Sequence, residues 1–77
     1  MTKSCVFKKS NQSIQDVIQT FNLSHILSNE RTSIFENPEM RFSFDKTVVR
    51  VLLFDENNTI LLEKVREYFY GETYANI

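Results

Sequence analysis

The spacing of apolar residues predicts a helix near the start of the chain. Ser13 precedes the apolar run and Asp16 follows three residues later. This arrangement resembles a capping box, because a hydroxyl and a carboxylate can both accept hydrogen bonds from free backbone N–H groups. We therefore expect a helix over residues 13–21 that buries one face. Four residues form this face at helical spacing: Ile14, Val17, Ile18 and Phe21.

The apolar pattern changes direction after this first set. A second set at helical spacing is rotated from the first by about 200° and consists of Leu23, Ile26 and Leu27. The helical segment is therefore predicted to extend over residues 13–28, either buried on two sides or broken near Asn22 with Ser24 as a new cap. Residues 29–39 are mostly polar and are assigned no element, since Pro38 would end any helix before it.

The apolar period changes to two after Pro38. Residues 40–44 alternate between apolar and polar side chains, as in a half-buried strand. Residues 47–54 are apolar on both faces except at Arg50, which is typical of a strand covered on both sides. The short Asp45-Lys46 connection predicts that the two strands pair as an antiparallel hairpin. Five of their side chains should be among the most buried in the chain: Phe42, Phe44, Val49, Val51 and Leu53.

The two ends of the chain supply the remaining predicted elements. Residues 3–8 are β-prone and partly alternating, which favours a strand with Cys5 and Phe7 turned inward. Residues 59–70 have helical spacing and precede Gly71, so we favour a helix over the alternative of a hairpin strand. These elements predict an α+β domain. Its antiparallel sheet of about three strands, near residues 3–8, 40–44 and 47–54, packs against the two helical segments.

Length and composition narrow the classes of function. The chain has 77 residues, which favours a single domain over residues 1–77. It has one histidine, one cysteine and one glycine. These leave no cluster with metal-ligand spacing, no catalytic arrangement and no phosphate-binding loop. We therefore expect no enzymatic activity, no metal and no cofactor.

The sequence also lacks the features of an exported or membrane protein. The first lysines are followed by Ser-Asn-Gln-Ser rather than by an apolar run, and the longest unbroken apolar stretch is residues 51–54. A single cysteine fits a reducing compartment. We therefore expect a cytoplasmic protein with no membrane contact. The abundance of Asn, Ile, Lys and Phe suggests a genome of low GC content. A short chain from such a genome suggests a small regulator or inhibitor from a phage or other mobile element.

By elimination, the sequence favours a non-enzymatic protein-binding module that acts stoichiometrically. Its partner would be another protein, and a homodimer is compatible with the same pattern. Tyr70 and Tyr74 have no inward place at helical spacing, and exposed tyrosines are common anchors of protein interfaces. Glu67 belongs to an acidic stretch near them, and Arg50 is a cation within an apolar strand. The predicted partner-binding residues are therefore Arg50, Glu67, Tyr70 and Tyr74.

An alternative function is DNA binding. Residues 14–28 resemble part of a helix-turn-helix, with matching apolar positions and a polar turn carried by Ile14, Val17, Phe21, Asn22, Leu23 and Ser24. The resemblance implies a small winged regulator of transcription. The net charge of −1 does not supply the broad basic surface of most nucleic-acid binders, so nucleic acid is the less favoured partner. The implied DNA contacts are His25, Ser28, Asn29 and Arg31, with Lys8 and Lys9 on phosphates.

Overall fold

The computed structural model describes residues 1–8 and 13–70, without the side chain of Tyr70. Within these residues, five strands and two helices are present. The strands are β1 (Lys3–Lys8), β2 (Ser24–Ser28), β3 (Ser33–Asn37), β4 (Met40–Phe44) and β5 (Val48–Leu53), and the helices are α1 (Ile14–Phe21) and α2 (Thr59–Tyr70). The α+β class is confirmed, but the sheet has five strands where the sequence predicts about three.

All five strands form one antiparallel sheet in the order β1-β5-β4-β3-β2. Strands β2 to β5 follow one another as hairpins, and β1 joins the sheet beside β5. The predicted hairpin of β4 with β5 is confirmed, with Phe42 opposite Val51 and Phe44 opposite Val49. β1 and β2 are therefore the two edges of the sheet.

Local side-chain chemistry sets both ends of α1. The Ser13 hydroxyl accepts a hydrogen bond from the backbone N–H of Asp16 at 3.1 Å, so the predicted N-cap is confirmed. The helix ends at Phe21 because Asn22 takes a left-handed conformation with φ of 57°, which asparagine tolerates better than most residues. The segment therefore breaks near Asn22, as the second alternative expects, but no helix restarts at Ser24, where strand β2 begins instead.

Both helices pack on the same face of the sheet and enclose an apolar core. The strands contribute alternate side chains to this core, and the five predicted to be most buried are all 4% exposed or less. α1 adds Val17, and α2 adds Val65 and Phe69. The ring centroid of Phe42 lies 5.2 Å from that of Phe21 and 6.1 Å from that of Phe69. The predicted helix over residues 59–70 is confirmed, since α2 has these bounds.

The second half of the predicted helical segment is wrong. Residues 24–28 are the edge strand β2, and residues 33–37, for which the sequence predicts no element, are β3. All five residues of β2 are exposed, and its register against β3 shifts between His25 and Leu27. Because of this bulge, the alternation that marks a strand is lost from the sequence. β3 buries one residue, Phe35, which is too short a pattern to predict a strand.

The interpretation of residues 47–54 as a strand covered on both sides is also wrong. The odd-numbered residues of β5 are buried beneath the helices, but Val48 and Leu52 are half-buried and Arg50 is exposed. No described element covers this second side of the sheet. We call it the open face.

Candidate functional site

The open face is the surface of the sheet opposite the two helices. Cross-strand register places one residue from every strand side by side in a row across it. This central row runs from β1 to β2 as Val6, Arg50, Ser43, Ile34 and Leu27. A neighbouring row consists of Ser4, Leu52, Arg41, Glu36 and Ser24.

Apolar side chains at both ends of the central row are exposed to solvent. Val6 is 54% exposed and Leu27 is 50% exposed, and Ile26, next to Leu27 in the bulge, is 49% exposed. A sheet face in contact with water normally carries polar side chains, and adjacent exposed apolar groups mark interaction sites. The β2 edge, where Ile26 and Leu27 are adjacent, therefore resembles a binding surface, and Val6 adds one exposed apolar side chain at the opposite edge.

The charged side chains in the middle of the open face form ion pairs with one another. Arg41 Nε lies 2.9 Å from Glu36 Oε1, and Arg50 Nη1 lies 3.1 Å from Asp45 Oδ2. The two arginine side chains remain 46% and 59% exposed. A guanidinium carries several N–H donors, and each of these ion pairs uses one of them. Both arginines therefore retain donors that a partner's acceptors can bind.

The predicted partner-binding residues do not form one surface. Arg50 lies on the open face, whereas Glu67 lies on α2, which packs against the opposite side of the sheet. The side chain of Tyr70 and the whole of Tyr74 lie outside the described residues, so their role remains a prediction. The structure therefore assigns Arg50 and Glu67 to different surfaces.

Sequence reasoning missed the apolar ends of the open face. In β1, Val6 is an apolar residue in the outward phase of a strand whose inward side chains are Cys5 and Phe7. That outward apolar residue was a usable signal. Leu27 gave none, because its spacing from Leu23 is that of a helix although it lies in a strand.

A second concave surface lies on the helix side, between α1, the β3–β4 turn and α2. We call it the aromatic groove and define it by its apolar residues Phe21, Leu61 and Tyr68 and its charged residues Glu39, Lys64 and Glu67. Its volume is about 400 Å³. The rings of Phe21 and Tyr68 meet edge to face with their centroids 5.3 Å apart. The sequence singled out Glu67 in this groove but missed Tyr68.

The environment of Tyr68 raises the pKa of its hydroxyl above the usual value. Burial disfavours the charged tyrosinate and is the main cause, and the negative charge of Asp16 acts in the same direction. A hydrogen bond with Thr20 opposes both. The neutral hydroxyl is therefore the form present in the groove at neutral pH.

This raised pKa predicts a loss of stability in alkaline solution. The unfolded chain deprotonates Tyr68 near pH ~10, before the folded chain does. The stabilisation is thus fully present below that pH and is lost as the pH rises through the folded pKa. The measurement is tyrosinate absorbance as a function of pH, in the wild-type protein and in Tyr68→Phe. The difference between the two curves reports Tyr68 and should have its midpoint above pH ~10. A midpoint at or below that value would contradict the described environment.

The DNA-binding alternative includes three residues whose side chains make hydrogen bonds within the chain: His25, Ser28 and Asn29. Because residues 24–28 form a strand, the helix-turn-helix itself is wrong. His25 Nε2 lies 2.9 Å from Ser28 Oγ, and the imidazole ring packs edge to face on Phe35. Asn29 Oδ1 accepts hydrogen bonds from the backbone N–H groups of Arg31 and Thr32 and so shapes the β2–β3 turn.

The lysines of the same alternative lie at one end of the sheet. Lys8 ends β1 opposite Val48, at the end of the sheet where the β2–β3 turn also lies. Lys9 falls outside the described residues. The topology thus brings Lys8 and Arg31 to the same end of the molecule, at opposite edges of a five-stranded sheet.

Other classes of site are not found in residues 1–8 and 13–70. No group of His, Cys, Asp and Glu side chains there is placed to hold a metal ion. None of the described helices has the length and apolarity needed to cross a membrane. Comparison with protein-family models, with curated proteins and with solved structures finds no match to the chain.

Proposed function

We propose that the chain is a non-enzymatic protein-binding module that acts stoichiometrically and holds one partner protein on its open face. The observation that carries this proposal is the composition of the central row. Exposed Val6 and Leu27 lie at its ends, and Arg50 lies between them with unused N–H donors. Such a module acts by occupying its partner, as a regulator or inhibitor does.

The charges of the open face indicate the chemistry of the partner. Two ion pairs on this face balance Arg41 and Arg50 with Glu36 and Asp45. Lys8, at the β1 edge, adds a small positive excess. A partner with apolar side chains and a few carboxylates complements this arrangement. Arginine is enriched among the residues that dominate the binding energy of protein interfaces, and exposed apolar side chains gain free energy when they are buried. We therefore retain Arg50 as a partner-binding residue in this proposal and add Val6 and Leu27 to it.

A protein partner is favoured over a nucleic acid by the same residues. Glu36 and Asp45 each neutralise one arginine and would repel a phosphate backbone. The exposed apolar side chains at the ends of the central row gain nothing from phosphates, but they gain free energy when a protein surface excludes water from them. The net charge of the chain is −1, which adds no general attraction to nucleic acid.

The test is a comparison of partner retention between matched variants. The tagged chain is incubated with an extract of its source cells, and retained proteins are quantified by mass spectrometry. The double variant Val6→Asp, Leu27→Asp should lower the affinity of the retained partner by roughly 30-fold or more, since hot-spot losses reach about 2 kcal/mol. The control is Ile60→Asp, which places one carboxylate on an apolar side chain that is 75% exposed on α2, on the other side of the sheet.

The second part of the test measures binding between the purified chain and the purified partner. We expect calorimetry to give a one-to-one complex that the control variant preserves and Arg50→Glu weakens. Nuclease treatment should leave the complex intact. The proposal fails if no protein is retained, if the double variant and the control bind equally well, or if nuclease abolishes retention, since the last result would show that a nucleic acid is the ligand.

A further inference from the structure

The aromatic groove is distinct from the open face and carries a chemistry of its own. Phe21 and Tyr68 line it with two rings in edge-to-face contact, and Leu61 adds an aliphatic side chain. All three side chains are half-buried, so each keeps part of its surface in contact with solvent. A groove with such a lining favours the apolar part of a ligand or a cation that can lie against an aromatic ring.

The charges around the groove are unbalanced, and they form no ion pair with any of the described residues. Glu39 from the β3–β4 turn and Glu67 from α2 are both exposed, against the single cation Lys64. The ion pairs of the described residues are formed by other side chains, on the open face. Asp16 lies close enough to Tyr68 to affect its hydroxyl, which adds a further negative charge nearby. The groove therefore presents aromatic surface in a negative potential.

The groove is also held in shape before any ligand arrives. The ring of Phe21 packs against the fully buried Phe42, and the side-chain amide of Asn37 donates a hydrogen bond to the Phe21 carbonyl at 2.8 Å. Tyr68 is fixed from the other side by its edge-to-face contact with buried Phe69. A preformed site loses less conformational entropy on binding than a mobile one.

We infer that the aromatic groove binds an arginine side chain of a partner protein, with the guanidinium against Phe21 and Tyr68 and between Glu39 and Glu67. A guanidinium is planar and weakly hydrated, stacks on aromatic rings and pairs with carboxylates, so it matches both parts of the groove. The inference rests on the proposed function for the kind of partner. It does not rest on the open face, which lies on the other side of the sheet.

The test uses the purified chain and a small probe, so it can succeed or fail independently of the open face. N-acetyl-arginine-N-methylamide is titrated into the ¹⁵N-labelled protein and followed by amide chemical shifts. We expect saturable shifts at Thr20, Phe21, Leu61 and Tyr68, with a Kd on the order of 1 mM for so small a ligand. The citrulline analogue has nearly the same shape without the charge and should bind roughly 3- to 10-fold more weakly.

Matched variants assign the binding to the two carboxylates. Glu39→Gln with Glu67→Gln should weaken arginine binding by a similar roughly 3- to 10-fold. The control is Glu56→Gln with Glu63→Gln, which removes the same net charge from exposed positions outside the groove. The inference is overturned if citrulline binds as well as arginine, if the shifts map elsewhere, or if the two double variants behave alike.

Discussion

Replacement of Phe42 by alanine is expected to lower the free energy of unfolding by about 3–5 kcal/mol. Phe42 is 0% exposed and lies at the centre of the core. Its ring meets Phe21 of α1 and Phe69 of α2, and its backbone pairs with Phe35 and Val51. Deletion of the ring therefore leaves a cavity where both helices meet the sheet, and the surrounding elements can close it only in part.

The size of this loss matters because the domain is small. A chain of this length has a total stability of about 4–12 kcal/mol. Phe42→Ala should therefore shift the midpoint of urea unfolding strongly or prevent folding altogether. The control is Ile60→Ala on α2, where the side chain is 75% exposed and the expected change is within about 0.5 kcal/mol. Similar unfolding midpoints for the two variants would contradict the described core.

The parts of the fold that the sequence predicts are those in which burial imposes a period. α1 has a capping serine and an apolar row that faces the core, and β4 alternates strictly because one side is buried and the other is not. In both cases the pattern follows from a difference in free energy between two faces of one element.

The parts that the sequence does not predict lack that difference. β2 is an edge strand with every residue exposed, and its bulge at Ile26 leaves Leu23 and Leu27 at helical spacing by coincidence. Leu23 is buried but lies just before the strand. The pairing of β2 with β3 depends on backbone hydrogen bonds, which leave little trace in the order of side chains.

Some residues of the candidate site could be predicted from the sequence and others could not. Arg50 was identifiable because a cation within an apolar strand is unusual. Its partner Asp45 was not, because the ion pair spans a turn whose geometry the sequence does not fix. The aromatic groove was not predictable either, since it joins Phe21, Glu39 and Tyr68 from three elements that meet only in the folded chain.

Replacement of Asn37 by alanine is the second large effect we expect, at about 2–3 kcal/mol. The Asn37 amide donates to the carbonyl of Phe21, one of the acceptors that the end of α1 leaves free. Its carbonyl oxygen accepts from the backbone N–H groups of Glu39, at 2.7 Å, and of the buried Met40, at 3.0 Å. One side chain thus joins the β3–β4 turn to the end of α1, and alanine removes all three hydrogen bonds.

Asn37→Asp separates the two halves of this role. A carboxylate still accepts from Glu39 and Met40, but it has no donor for the Phe21 carbonyl and adds negative charge at the negative end of the α1 dipole. Asn37→Asp should therefore also lose stability in urea unfolding, because the Phe21 carbonyl loses its donor and meets a negative charge. By hydrogen exchange, the Glu39 and Met40 amides should stay protected in Asn37→Asp and exchange faster in Asn37→Ala. Equal protection of these two amides in the two variants would contradict this division. Both variants lose the hydrogen bond from residue 37 to the Phe21 carbonyl. Because this bond holds Phe21 to the β3–β4 turn, both variants should also weaken arginine binding in the aromatic groove.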